Sequence, residues 1–344
     1  MISAETHTLK EILSQPEAWK STLNTIHSSA DLLRNLLRDG QYDQALFTGC
    51  GSTYYLALAA AALLQETAGV SARGLPASEI WLNAGAAYPT SSRTLLVAIS
   101  RSGETTETLR ACEAFQKRCQ GDLLTLSCYP ERQLAVMGNH NLLFPDAREE
   151  SVAQTRAFSS LYLATTALAA LWSGKDDLLE ELNRLPGACK RLLDAASGQV
   201  TALGRDLVLE RFYFLGSGTR YGLACELSLK MKEMSLSHSE PFHFMEFRHG
   251  PQSMANAHTL MIGLVSQNNA RQERKVLEEM NAKGAVILDI GEESGGISLS
   301  SGLCEAAANV LYLPLGQLLA FERSISKGLN PDRPHNLEAV VKLS

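Results

Sequence analysis

The sequence predicts an α/β fold of two lobes, each a parallel sheet flanked by helices, related by internal duplication. Three observations predict it. Apolar strand-like runs alternate with helically spaced segments, the pattern of a parallel sheet covered on both faces. Short Gly/Ser turns follow strand-like runs and open helices. Finally, Arg211-Phe212-Tyr213-Phe214-Leu215-Gly216-Ser217-Gly218-Thr219 repeats Gln44-Ala45-Leu46-Phe47-Thr48-Gly49-Cys50-Gly51-Ser52, about 167 residues earlier (216 minus 49), and a long helix follows each copy.

Taken in order, residues 1–40 form a helical lead-in, with Leu9, Ile12, Leu13, Trp19, Leu23, Ile26, Leu32, Leu33, Leu36 and Leu37 at helical spacing up to the stop at Gly40. The first lobe occupies 41–175. It starts with a strand over 45–48, the turn Gly49-Cys50-Gly51-Ser52-Thr53 and an Ala/Leu-rich helix over 54–66. The apolar run Thr94-Leu95-Leu96-Val97-Ala98 comes next, followed by Ile99-Ser100-Arg101-Ser102-Gly103-Glu104-Thr105 and a helix to about 118. Strands over 122–127 and 141–144 and a long helical segment over 152–173 complete it. A wholly helical connection spans 176–205. The second lobe, 206–344, repeats the scheme, with 258–266, a helix over 271–283, 285–290 and 310–313 echoing the remaining elements of the first. The copies are unequal, because Val265-Ser266-Gln267-Asn268 lacks the hydroxyls of 100–105.

Composition narrows the function. A chain of 344 residues with 45% hydrophobic content can bury a large core, and its length suits two lobes. A net charge of -6 without any Lys/Arg-rich run argues against a nucleic-acid partner. No apolar stretch approaches the ~20 residues of a membrane span, and the N-terminus has neither a basic region nor an apolar core. The expectation is a cytoplasmic protein. Seven cysteines (Cys50, Cys112, Cys119, Cys128, Cys189, Cys225, Cys304) without a CxxC pair read as reduced packing residues.

The turn at 99–105 carries the first chemistry. A strand, a hydroxyl-rich turn and a helix start point backbone N–H groups, short hydroxyls and the positive end of the helix dipole at one spot, which suits a phosphate dianion. Arg101 adds a charged fork. An ordinary helix cap is the simpler reading of the same residues. With the turn at 49–53 it would lie in the crevice at the carboxyl ends of the strands, where open α/β sheets bind ligands. A dinucleotide turn fails because Tyr54 stands where the third Gly is required, and the P-loop Gly-Lys-Ser/Thr is absent.

Two further clusters stand in the second lobe. Glu226, Lys230 and Glu233 fall at i, i+4 and i+7 on one helical face, and a plain surface Glu/Lys pair explains the first two as well as function does. His238, His243 and His249 with Glu240 and Glu246 form the densest polar group. Their spacing fits no common metal-ligand pattern, so no metal is expected. His249, in Arg248-His249-Gly250-Pro251, is the imidazole best suited to proton transfer near neutral pH, whereas His238 and His243 read as structural.

Gly49-Cys50-Gly51-Ser52-Thr53, Ser100-Arg101-Ser102-Gly103-Glu104-Thr105, the run ELSLKMKE at 226–233, Arg248-His249-Gly250-Pro251 and the tail from Lys327 to Leu337 together resemble the sugar isomerase (SIS) domain family. Within it, the chain is similar to the isomerase half of glucosamine-6-phosphate synthase and to stand-alone phosphosugar isomerases and deaminases. The resemblance implies two flavodoxin-like lobes and a small-molecule sugar phosphate as ligand. It puts the phosphate on Ser52, Thr53, Ser100, Arg101, Ser102 and Thr105, the base for C1/C2 proton transfer at Glu233, a helper at Lys230 and ring opening at His249. Such a proton transfer needs no metal or redox cofactor. It also implies a homodimer with shared active sites. A non-catalytic sugar-phosphate sensor is the alternative, disfavoured by the presence of both Glu233 and His249. Three departures stand out: Arg101 replaces a Gln, Ala339 replaces a functional Lys of the C-terminal loop with Lys342 three residues beyond, and Met1-Ile2 leaves no place for a glutaminase nucleophile. Ammonia from glutamine by that route is therefore not expected, and a deaminase is preferred over a simple isomerase.

Overall fold

The computed structural model describes residues 6–118, 120–341 and 343. Cys119 and Lys342 lie outside the described residues. The lead-in comprises α1 (His7–Leu13), α2 (Gln15–Ser28) and α3 (Ala30–Gly40). The first lobe continues as β1 (Gln44–Gly49), α4 (Ser52–Ala68), β2 (Ser71–Pro76), α5 (Ala77–Leu82), α6 (Ala84–Ala87), β3 (Thr94–Ser100), α7 (Thr106–Arg118), β4 (Gly121–Ser127), β5 (His140–Leu143) and α8 (Arg156–Ser173). Helices α9 (Asp176–Leu182) and α10 (Leu185–Arg205) lead to β6 (Arg211–Leu215), α11 (Thr219–Ser235), β7 (His238–Phe242), β8 (Thr259–Leu264), α12 (Ala270–Asn281), β9 (Val286–Gly291), β10 (Ile297–Ser298), α13 (Glu305–Ala308) and α14 (Tyr312–Ser326).

Among the described residues the strands form two five-stranded parallel sheets. Their orders, β2-β1-β3-β4-β5 and β7-β6-β8-β9-β10, are the same doubly wound order 2-1-3-4-5 written twice. The central strands are buried along their length, β3 and β8 at every position, because helices cover both faces.

The chain forms two compact units interleaved in sequence. The N-terminal unit takes Glu17–Glu149, Arg156–Asn183 and the chain from Glu338 on; the C-terminal unit takes the chain up to Pro16, Glu150–Thr155 and Arg184–Leu337. The helical stretch 176–205 divides between them where Pro186 enters the first turn of α10, the place in a helix that tolerates a missing N–H. In the N-terminal unit Leu46, Ile80, Tyr88, Leu96, Cys112, Phe115 and Leu123 share one core. In the C-terminal unit Tyr213, Phe244, Phe247, Met261, Val276 and Met280 share another.

Several elements differ from the sequence reading. Residues 310–313 are helical: they pass from a 3-10 turn, Asn309–Leu311, into α14, which is buried from Tyr312 to Ser324 against α10 and α11. Burial on all sides removes the polar face that would mark a helix, and Pro314 sits in the first turn, where its missing N–H costs nothing. Residues 152–155 are not helical, because the Glu150 and Ser151 N–H groups donate to Glu11 Oε1 and that of Val152 to Asp332 O. Strands β2 and β7 have no counterpart in the sequence reading; both are edge strands carrying a proline, Pro76 and Pro241. None of the six described cysteines is in a disulfide, and Cys304 is the exposed one. No helix among the described residues is long and apolar enough to cross a membrane.

Candidate active site

In the N-terminal unit β1 and β3 are neighbours at the point where the strand order reverses, so the turns that leave them open at the same crevice. The first turn depends on Gly51, whose φ of 55° and ψ of -121° suit a residue without Cβ, and Gly218 repeats that conformation (57°, -132°) in the other unit. The Thr53 hydroxyl closes this turn, accepting from Cys50 N at 2.9 Å and donating to Cys50 O at 3.0 Å. Beside it, Cys50 Sγ lies 3.5 Å from Thr108 Oγ1, and burial pushes the thiol up from its ordinary value. Ser52 and Thr53 open α4 and are buried.

The second turn gathers three hydroxyls at the N-terminus of α7. Ser100 and Ser102 lie 3.5 Å apart, and Thr105 Oγ1 is 3.4 Å from each. The turn is held from beneath: Ser100 Oγ accepts from Gly103 N at 3.1 Å, Ser102 Oγ from Glu104 N at 3.3 Å, and Leu134 N donates to Gly103 O at 3.0 Å. A triangle of hydroxyl oxygens over a helix N-terminus presents donors to a tetrahedral anion.

Arg101 points away from a purely ligand-binding role. Its side chain is 6% exposed; Nη1 lies 3.3 Å from the buried carboxylate of Glu149 and Nη2 donates to Ala339 O at 3.2 Å. Glu149 Oε1 in turn accepts from Ala157 N in the first turn of α8. The C-terminal segment runs past the turn, Leu343 N donating to Thr106 Oγ1 at 3.1 Å. At position 339 the backbone carbonyl, rather than the side chain, contacts the loop. Glu149 was invisible in the sequence because nothing local marks a partner 48 residues away.

In the C-terminal unit α11 carries Glu226, Lys230 and Glu233. Lys230 Nζ is 3.4 Å from Glu226 Oε1 and bonds Glu233 Oε2; the side chains of Lys230 and Glu226 are 0% exposed and that of Glu233 is 19% exposed. The surface-pair reading of Glu226 and Lys230 is thereby corrected. Helix α11 packs against α14, β6 and β7 and has no wholly wet face. The geometry leaves one carboxylate oriented by a buried lysine and open at the surface of its unit.

His249 follows the 3-10 turn Glu246–Arg248 and is exposed. Phe247 is buried in the core and Arg248 makes a forked pair with Glu279 at 2.7 and 2.9 Å, so both neighbours anchor the loop that presents the imidazole. His243 stacks on Tyr221 (centroids 3.8 Å, 15°), and burial lowers its pKa despite the nearby Glu246. Among the described residues no three His, Cys, Asp or Glu side chains gather at metal-binding range.

Two doubly wound sheets with glycine turns at their switch points, one furnished with a hydroxyl triangle, define a ligand-binding α/β protein. The SIS domain model matches residues 41–171 and 209–313, and the chain belongs to that family. It is 28% identical over 347 residues to a glutamine–fructose-6-phosphate aminotransferase [isomerizing] of Methanothermobacter thermautotrophicus, covering 97% of this chain but 57% of that protein. Among solved structures, glucosamine-6-phosphate deaminase of Thermotoga maritima superimposes with a TM-score of 0.83 at 30% identity, covering 98% of this chain and 100% of that one. Tagatose-6-phosphate ketose/aldose isomerase of Escherichia coli shares the fold, with a TM-score of 0.87, 21% identity and coverage of 98% and 97%.

Proposed function

We propose that the protein processes a 6-phosphorylated sugar, as an amino-sugar-6-phosphate deaminase or an aldose/ketose isomerase. The observation that carries this reading is the hydroxyl triangle of Ser100, Ser102 and Thr105 at the α7 N-terminus. In this reading Ser52, Thr53, Ser100, Arg101, Ser102 and Thr105 hold the phosphate, with Arg101 sharing its charge between the anion and Glu149. His249 moves a proton at the ring oxygen to open the sugar. Glu233, oriented by Lys230, takes the C2 proton and returns it to C1. With an amino sugar the product of that transfer is a C2 imine, and water hydrolyses it to the ketose phosphate and ammonia. The deaminase outcome is favoured by the likeness to the Thermotoga maritima enzyme, which extends over 98% of this chain and 100% of that one. The reading includes a homodimer in which His249 of one subunit serves the Glu233 of its partner.

A panel assay scoring ammonia and ketose phosphate across 6-phosphorylated amino and neutral sugars tests it. Ammonia and ketose phosphate in equal amounts from one amino-sugar phosphate are expected. Ketose phosphate from a neutral aldose phosphate, with no ammonia from any amino-sugar phosphate, would turn the reading to the isomerase, and no turnover with tight binding would turn it to the sensor.

A further inference from the structure

The matching turns of the C-terminal unit take no part in the reaction above. β6 and β8 are neighbours, so Gly216-Ser217-Gly218-Thr219 and Val265-Ser266-Gln267-Asn268 leave the second sheet at its own switch point. Here the counterpart of the hydroxyl triangle is gone, yet N–H groups in the turn ahead of α12 still hold an anion. Gln267 N and Asn268 N donate to Glu305 Oε2 at 2.8 and 3.3 Å. Glu305 Oε1 bonds Arg220 Nη1. Arg220 stands where the first copy has Thr53; it is 3% exposed, and its Nε has no hydrogen-bond partner among the described residues. Its Nη2 lies 3.5 Å from Glu273 Oε1, while Glu273 Oε2 accepts from Ser266 N at 2.6 Å.

We infer that the second lobe retains an oxyanion site built from Arg220 and the Gln267 and Asn268 N–H groups, and that the chain's own Glu305 carboxylate is its ligand. An ordinary ion pair would need one carboxylate for Arg220, and Glu273 already supplies it. The second carboxylate reaches in from a different element, the first residue of α13, and meets the turn that opens a twelve-residue helix, where fixed N–H groups favour a negative charge. Of the three charged side chains Glu305 is the most exposed, at 20%. A cavity of about 310 Å³, lined by Ser266, Gln267, Ala270, Arg274, Glu292 and Glu293, borders the turn. The two lobes thus differ in what fills the same construction: an external oxyanion in one, a tethered carboxylate in the other.

Inorganic phosphate titrated calorimetrically into the full chain tests this, comparing wild type with Glu305→Ala, both exchanged into chloride. The variant is expected to bind one more phosphate per chain than wild type and to gain more in melting temperature with added phosphate. Adding Arg220→Gln to Glu305→Ala should abolish both gains. Equal stoichiometry in wild type and Glu305→Ala, or an extra phosphate that persists in the double variant, overturns the assignment. If Glu305→Ala does not fold in chloride, refolding in phosphate and in chloride of equal ionic strength decides. Recovery in phosphate alone supports the proposal; equal recovery in both, or none in either, overturns it. Each comparison is between variants that share the first lobe unaltered, so phosphate held or not held there cancels from the difference.

Discussion

The three hydroxyls of the 100–105 turn are not equivalent, and their inequality gives a sharp prediction. Ser102 Oγ accepts from Glu104 N at 3.3 Å and lies 3.5 and 3.4 Å from the Ser100 and Thr105 hydroxyls, all long contacts, and its residue is half-buried. Ser102→Ala therefore removes weak, partly wet contacts, and folding stability should fall by less than about 1 kcal/mol. A hydroxyl donating to a phosphate oxygen makes a charge-assisted bond of about 1.5–3 kcal/mol, so affinity for a 6-phosphorylated sugar should drop roughly 10- to 150-fold. Ser100 is 3% exposed and its oxygen accepts from the N–H of buried Gly103 at 3.1 Å. Ser100→Ala strands that N–H away from water and should cost folding about 1–3 kcal/mol in addition to the lost ligand contact. Isothermal titration with glucosamine 6-phosphate in a Glu233→Gln background gives the affinities, and urea denaturation gives the stabilities. Wild-type affinity in Ser102→Ala, or an equal loss of stability in the two variants, would refute the reasoning.

Glu233→Gln keeps the shape of the side chain but removes the proton acceptor, so kcat should fall about 100-fold or more while ligand affinity measured by calorimetry persists. Homodimers of Glu233→Gln and of His249→Ala should each be nearly inactive, whereas exchanged heterodimers contain one site with both defects and one with neither. Activity up to about half of wild type per heterodimer is expected on this symmetry, and verified heterodimers as inactive as their parents would place His249 within its own chain or outside the reaction. Asp332 caps α1: burial alone would raise its carboxyl, but donors from Thr8 and His7 hold it below the ordinary 3.8. A depressed carboxyl contributes stability above the ordinary value and loses it as pH falls through the folded one, so Asp332→Ala should cost about 1 kcal/mol at neutral pH in urea melts, with the gap to wild type closing on strong acidification.

The central strands were legible in the sequence chiefly through burial on both faces, although the edge strand β5 was read as well. The run 94–100 reads as a strand because seven successive residues are buried in the sheet centre, and a continuous apolar run is what that environment requires. Strands β2 and β7 lie at the sheet edges, where Ser71, Arg73, His238 and Glu240 can reach water and a proline is tolerated, so neither composition nor alternation sets them apart from loop. The opposite failure occurred at 310–313. There the helix is so deeply buried that it lost the polar stripe by which helices are recognised.

The candidate site divides along the same physical line. Local spacing determines that Glu226, Lys230 and Glu233 share a face, since that follows from the pitch of a helix alone. Whether the face is wet depends on what packs against it, and α14, more than 70 residues further along the chain, helps decide that Lys230 is 0% exposed. A lysine in that position cannot be an optional surface charge. Removing its water is costly unless carboxylates compensate it, so Lys230 holds Glu233 in one orientation and is held there itself. The same reasoning separates the two glycine turns. Both units keep the glycine that the strand-to-helix corner requires, but the residues that fill the neighbouring crevices come from other elements: Glu149 and the C-terminal segment beside Arg101, Glu305 beside Arg220. Backbone geometry at such a corner is written locally and can be read from a short motif, whereas the charge that occupies it is contributed by distant chain and becomes legible only once the chain is folded.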